Sequence, residues 1–176
     1  TACEKEAAKL QQYLASKNIS VQIKAKQNPG EKNIEFLLTE NRLSQKNDEA
    51  YNITVSANNI TIKAPTTHGL FNAIQTFKQL ANNTEVQGCE ITDSPAFSWR
   101  GFMVDVGRNY QSIKQLKQQI DVMAAYKLNI FHFHLTEDIA WRLQSKKYPQ
   151  LTEVKYMLRN PGKYYTLAEM KELIKY

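Results

Sequence analysis

The sequence predicts an α+β unit followed by the opening of a parallel α/β sheet, and three observations predict it. Short alternating segments rich in isoleucine and valine, flanked by amphipathic helical stretches, fill the chain up to about residue 90. Beyond "TDSPAF" (92–97) the apolar runs become nearly continuous, as in strands covered on both faces. A single helix-length segment separates those runs, the arrangement of a β-α-β crossover.

Taken in order, residues 2–16 read as an amphipathic helix, with Cys3, Ala7, Leu10 and Leu14 on one stripe. Alternation at Ile19, Val21 and Ile23 suits a half-buried strand, and "NPG" at 28–30 a turn. Further strands are expected through Ile34, Phe36 and Leu38, through Tyr51, Ile53 and Val55, and through Ile60, Ile62 and Ala64, with "SANN" as the hairpin loop between the last two. A helix opened by Gly69 follows, with Leu70, Ile74, Phe77 and Leu80 or Ala81 at helical spacing. Antiparallel hairpins covered on one side by helices make this block an α+β layer, residues 1–94.

The second block, residues 95–176, contains the strand "WRGFMVDVG" (99–107), a helix over 112–127 with Ile113, Leu116, Ile120 and Met123 inward, and the strand "LNIFHFHL" (128–135). Thr166 and Glu169, at capping-box spacing, open another helix. A β-α-β-α start of this kind suits a truncated α/β barrel or a doubly wound sheet, since a whole barrel takes about 250 residues.

Composition excludes several functions. The 176 residues are 42% hydrophobic, enough for a real core, and carry 23 Lys and Arg against 17 Asp and Glu, for a net charge of +6. The basic residues are scattered rather than massed in a stripe, so no nucleic-acid partner is expected. No apolar run reaches the roughly 20 residues of a membrane span. Thr1-Ala2-Cys3 can be read as the remnant of a lipoprotein cleavage site, but the helical stripe makes Cys3 a core residue. Cys3 and Cys89 form no motif, and the sequons at Asn18, Asn52, Asn59 and Asn82 carry meaning only in a secreted eukaryotic protein.

Chemistry concentrates in "HFHLTED" (132–138). In parallel α/β folds, groups at the carboxyl ends of strands face the ligand. Glu137 and Asp138 lie just beyond one strand; Arg108, Asn109 and Tyr110 lie just beyond the other, whereas Arg100 comes early in its strand and by this rule is structural. His132 and His134 point to the same side of a strand, as paired metal ligands would. A buried pair hydrogen-bonded to neighbours explains them better, so no metal and no cofactor is expected. No nucleophile elbow and no phosphate-binding glycine loop occurs.

"WRGFMVDVGRNY" and "MAAYKLNIFHFHLTEDIAWRLQSKKYPQLTEV" resemble the opening of the catalytic barrel of glycoside hydrolase family 20, the β-N-acetylhexosaminidases. Its pattern runs R-G-x-x-L-D-x-x-R, then Y-K-x-N-x-x-H-x-H-L-x-D-D, W-R and Y-P-x-L. The stretch "EAYNITVSANNITIKAPTTHGLFNAIQTFKQL" likewise resembles the small α+β domain that precedes this barrel. The resemblance implies the first two βα units of a (β/α)8 barrel. It implies that Arg100, Glu137 and Asp138 bind the sugar and that Asp105, Arg108, His132 and His134 support the pocket. Glu137 stands where the family carries aspartate, and Val104 where it carries leucine.

It also implies retaining hydrolysis of terminal N-acetylhexosamine from glycans, assisted by the sugar's own acetamido group. The aspartate-glutamate pair that performs it follows a fourth strand, so the catalytic pair is expected outside this chain and the chain alone is expected to be inactive. A stand-alone carbohydrate-binding or interaction module is the alternative. An extracytoplasmic location is implied by the resemblance alone. Uncovered faces at Phe131, Phe133 and Leu135 are expected to drive self-association or docking on the preceding block.

Overall fold

The structure, a computed structural model, describes residues 2–25, 30–39, 47–81 and 85–176. The chain divides into two compact units, Thr1–Ser98 and Trp99–Tyr176.

The first unit opens with α1 (Ala2–Ser16), which buries Leu10 and Leu14 and leaves Cys3 and Tyr13 half-buried against the same core. Asn18, with φ 62°, stops it: the Asn18 amide donates to Ala15 O and the Ile19 amide to Leu14 O, a Schellman ending. The strand expected at 19–23 does not form. Ile19 and Val21 do pack against the core, but Gln11 Nε2 donates to the Val21 carbonyl, so a side chain takes the place of a neighbouring strand. Of the turn at 28–30, Asn28 and Pro29 lie outside the described residues, as does Asn82.

Strands β1 (Asn33–Leu38), β2 (Tyr51–Val55), β3 (Asn59–Ala64) and β4 (Cys89–Asp93) form one sheet in the order β1-β3-β2-β4. β2 and β3 make the expected antiparallel hairpin, with Val55 opposite Ile60. The all-antiparallel expectation fails at β1, which runs parallel to β3 with Asn33 beside Asn59 and Leu38 beside Ala64. The connection over 39–50 is too long for a tight hairpin, so β3 closes locally on β2 and sits between it and β1. β4 was not foreseen, because "CEITD" holds a single β-branched apolar residue; it pairs with β2 and ends before Pro95.

Helix α2 (Thr67–Leu80) packs on β2, β3 and α1, and Ile53, Ile62, Leu70, Ala73, Ile74 and Phe77 form the core between them. The helix is opened by the Thr66 side chain, which accepts from the Gly69 amide, rather than by Gly69 itself. Gly69 serves packing: a Cβ there would collide with the Ala50 carbonyl oxygen and lie 2.7 Å from Ala64 Cβ.

The second unit contains β5 (Gly101–Asp105) and β6 (Ile130–His134), paired in parallel with Phe102 beside Phe131, Val104 beside Phe133 and Asp105 beside His134. Between them α3 (Ile113–Ala125) starts from a complete Ser112/Gln115 capping box. It ends at Lys127, with φ 57°, in a second Schellman arrangement: the Lys127 amide donates to Ala124 O and the Leu128 amide to Met123 O. A short hairpin, β7 (Thr136–Glu137) with β8 (Ala140–Trp141), follows, and α4 (Leu167–Lys175) begins at the expected Thr166/Glu169 capping box. Val104, Val106, Leu116, Tyr165 and Leu173 are its core.

Two expectations about this unit are corrected. β5 is not covered on both faces, since Phe102 is 42% and Met103 52% exposed. Phe131, Phe133 and Leu135 are not uncovered: they are half-buried against the core, where the Phe133 ring lies 5.3 Å from that of Tyr165. Tyr165, fully buried and brought in by the loop before α4, supplies the cover that strand periodicity could not reveal.

Candidate functional site

Strand alternation divides the β5–β6 surface. Val104, Phe131 and Phe133 turn to the core; Met103, Asp105, His132 and His134 therefore turn to the other face. Because the strands are parallel and in register, Asp105 and His134 end them side by side. That places a carboxylate and an imidazole at the carboxyl edge of the sheet, where the β7–β8 hairpin adds Glu137.

Four side chains meet there. His134 Nε2 lies 3.0 Å from Glu137 Oε1, donating to it when that nitrogen carries the proton. Arg108 Nη1 is 3.0 Å from Asp105 Oδ2, and Arg108 Nη2 is 3.1 Å from Glu137 Oε1. The Arg108 amide also donates to Asp105 Oδ1 at 2.9 Å, so the backbone turn leaving β5 is capped by the carboxylate its side chain pairs with. The carboxylates are mostly shielded, with Asp105 15% and Glu137 21% exposed, while Arg108 is 62% exposed. The cluster is an open edge rather than an enclosed pocket.

Gly107 permits this closeness: a Cβ would stand 3.0 Å from both Cβ and Cγ of Glu137 and 3.2 Å from Asp105 Oδ1. Sequence reasoning passed over Gly107 because it belongs to no glycine motif. Its place directly after a strand carrying a site carboxylate was the available signal.

Asp105, His134 and Glu137 bring three possible donor atoms within 4.8 Å of one another and are the described residues that could hold a metal ion. The Arg108 guanidinium already bridges the two carboxylates, so a cation would have to displace it.

The remaining predicted residues lie apart from this cluster. His132 is exposed and meets His134 through a tilted ring contact at 6.1 Å, so of the expected buried pair hydrogen-bonded to neighbours only His134, half-buried and bonded to Glu137, answers the description. Asp138 is exposed at the tip of the β7–β8 turn, one residue from Glu137. Arg100 precedes β5, and its Nε donates to the Lys127 carbonyl at 2.8 Å. Five residue-to-residue steps separate it from Asp105, about 16 Å of extended chain. The structure thus joins Asp105, Arg108, His134 and Glu137 and leaves Arg100 at the other end of the strand.

Behind the cluster lies Arg142, fully buried, with no carboxylate partner among the described residues. Burial lowers its pKa, partly countered by Tyr165 and Tyr110. Burial likewise raises the Tyr165 pKa well above the usual phenol range, opposed by the hydrogen bond its hydroxyl donates to Gln111 O at 2.6 Å. The "W-R" pair was visible in the sequence, but nothing in it marked the arginine as buried.

A carboxylate, imidazole and guanidinium group gathered at the carboxyl ends of parallel strands marks an α/β domain, the placement of sites in barrels and doubly wound sheets alike. Residues 97–176 match the family described as glycosyl hydrolase family 20, catalytic domain, and residues 1–94 match glycosyl hydrolase family 20, domain 2. The chain belongs to glycosyl hydrolase family 20. It is 37% identical to a beta-hexosaminidase of Porphyromonas gingivalis over 92% of this chain and 23% of that protein. It is 41% identical to N,N'-diacetylchitobiase of Vibrio harveyi over 60% of this chain and 12% of that protein. Among solved structures it superposes on the exo beta-N-acetylglucosaminidase of Vibrio harveyi in complex with N-acetylglucosamine with a TM-score of 0.81 and 31% identity, covering 97% of this chain and 28% of that one. The Streptomyces plicatus N-acetyl-beta-hexosaminidase gives a TM-score of 0.77 and 29% identity, over 97% and 37%. The chain thus spans about a quarter of the length of the first of these relatives. β5, α3, β6 and α4 are the first two βα units of the (β/α)8 fold of these enzymes.

Proposed function

We propose that this chain is the accessory domain and barrel opening of an exo-β-N-acetylhexosaminidase that removes terminal N-acetylglucosamine or N-acetylgalactosamine from glycans. The observation that carries the reading is the convergence of Asp105, Arg108, His134 and Glu137 at the carboxyl ends of β5 and β6, in a chain of this family. Such a cluster suits one wall of a sugar site, where fixed donors and acceptors meet ring hydroxyls. The mechanism is retaining and substrate-assisted: the 2-acetamido oxygen attacks the anomeric carbon while a carboxylic acid protonates the leaving oxygen. The acid and the acetamido-orienting aspartate come from outside the two strands described, so the chain by itself is inactive. Sugar contacts from Glu137 and Asp138 belong to this proposal, as does an extracytoplasmic location; Arg100, at the opposite end of β5 and bonded to the Lys127 carbonyl, stands too far from the cluster to share that sugar.

Exposed Phe102 and Met103 support a further part of the reading, that this chain in isolation self-associates. Light scattering giving a clean monomer would count against it. The test of activity is hydrolysis of a chromogenic N-acetylglucosaminide by the full-length protein and by the 176-residue chain. Turnover by the first and none by the second is expected; no turnover by the full-length protein on either the gluco or the galacto substrate refutes the assignment.

A further inference from the structure

Arg142 is the largest fully buried side chain of the second unit, and its hydrogen bonds go to main-chain carbonyls and one thioether. Nε donates to Val106 O at 2.9 Å and Nη2 to Gly107 O at 3.1 Å. On its other side, Nη2 donates to Arg159 O at 2.6 Å and Nη1 to Asn160 O at 3.1 Å and Lys163 O at 2.8 Å. A guanidinium has five N–H donors, and here five carbonyls receive them.

The two groups of carbonyls come from different parts of the unit. Val106 and Gly107 are the residues between Asp105 and Arg108. Residues 159–163 form a loop whose carbonyls turn inward because Asn160 (φ 47°) and Gly162 (φ 74°) take left-handed backbone conformations. The same loop returns two further bonds to the turn: Arg159 Nη1 donates to Arg108 O at 3.1 Å, and the Tyr110 amide donates to Asn160 Oδ1 at 3.2 Å. A buried cation held by carbonyl dipoles and a thioether, with no opposite charge beside it among the described residues, costs several kcal/mol of desolvation. A hydrophobic residue of similar volume would fill the space without that cost, so packing alone does not account for an arginine. What arginine adds is direction: a planar fork that fixes five carbonyls from two segments at once.

We infer that Arg142 is a positioning residue, which sets Asp105 and Arg108 by clamping the Val106–Gly107 backbone between them to the 159–163 loop. As a statement about the sugar site it rests on the function proposed above; as a statement about geometry it does not. Lysine keeps the charge but has three donors radiating from one atom, so it cannot serve both groups of carbonyls. Gly162→Ala strains the far side of the clamp without touching the cluster, since its Cβ would meet only Val154 Cγ2 at 3.6 Å.

The test compares Arg142→Lys and Gly162→Ala with Leu173→Ala, a cavity in the core of the same unit, in the full-length protein at a temperature where all are folded. Two readouts report the cluster directly: hydrogen exchange of the Arg108 amide, which caps Asp105, and the imidazole 15N shifts of His134, which faces Glu137, Asp105 and Arg108 with His132 alongside. Arg142→Lys is expected to speed Arg108 exchange at least about tenfold beyond the Leu173→Ala control and to move the His134 resonances, with Gly162→Ala acting in the same direction. If Arg142→Lys does not fold, Gly162→Ala is judged by its direction alone. Arg108 exchange and His134 shifts that stay unchanged, or that move equally in Leu173→Ala, overturn the inference. Turnover of the chromogenic substrate, measured alongside, is expected to fall at least about tenfold in Arg142→Lys, mainly in kcat. A wild-type protein without turnover whose Arg108 and His134 respond as stated keeps the clamp and removes the proposed function. An active one in which neither responds does the reverse.

Discussion

Replacing Gly107 by alanine perturbs the cluster through a single methyl group. That methyl would lie 3.0 Å from both Cβ and Cγ of Glu137, whereas carbon atoms rest about 3.5–4.0 Å apart. Glu137 therefore has to retreat by about 0.5–1 Å. Its contacts with His134 Nε2 and Arg108 Nη2, now 3.0 and 3.1 Å, would stretch to or past the hydrogen-bonding limit. Overpacking of this kind costs about 1–3 kcal/mol, while alanine restricts the unfolded chain and returns about 0.4–1 kcal/mol. A net loss of about 0.5–2 kcal/mol follows, measurable as a lower urea midpoint at constant m-value.

The partner of the clash is identified by a double-mutant cycle with Glu137→Ala, which removes Cγ and the carboxylate but keeps Cβ. In that background the cost of Gly107→Ala should fall by about half, a coupling that additive distant sites do not show. Gly107→Ala that is neutral or stabilising, or equally costly in both backgrounds, would refute the close approach of the β5 turn to Glu137.

Gly69→Ala is expected to cost more than Gly107→Ala, about 3 kcal/mol or above, because the atom in the way is the Ala50 carbonyl oxygen in the backbone rather than a side chain that can move; equal urea midpoints for the two variants would contradict this. Stability should also fall as the solution becomes alkaline. Burial raises the folded Tyr165 pKa above the unfolded value of about 10, so from about pH 10 upward the unfolded chain releases a proton that the folded chain retains. The stabilisation is complete below that pH and is lost as pH climbs toward the folded value. Tyr165→Phe should flatten this slope while losing about 1 kcal/mol at neutral pH with its bond to Gln111, and an unchanged alkaline slope would count against the burial argument. Because Arg108 already bridges Asp105 and Glu137, a chelator should leave the melting temperature within about 1 °C; stoichiometric zinc in the purified protein would show the guanidinium reading to be wrong.

Local patterns carried most of the elements. The capping boxes at Ser112 and Thr166, the β2–β3 hairpin, and the stripes of α1, α2 and α3 are decided by residues three or four positions apart, or two apart in strands, and were legible without a fold. That Asp105, His134 and Glu137 would share one edge was legible too, because parallel pairing turns sequence position along a strand into position along the sheet edge, whereas Arg100, His132 and Asp138 lie apart from them. What the tertiary structure alone decided were relations between distant segments. Whether β1 would lie beside β2 or β3, whether residues 19–23 would find a partner strand, and what would cover Phe133 all depended on competition for neighbours. Arg142 is the clearest case: a lone arginine in a sequence looks like surface charge, and only the arrival of five carbonyls from two segments replaces the water it loses and offsets part of the cost of burying it.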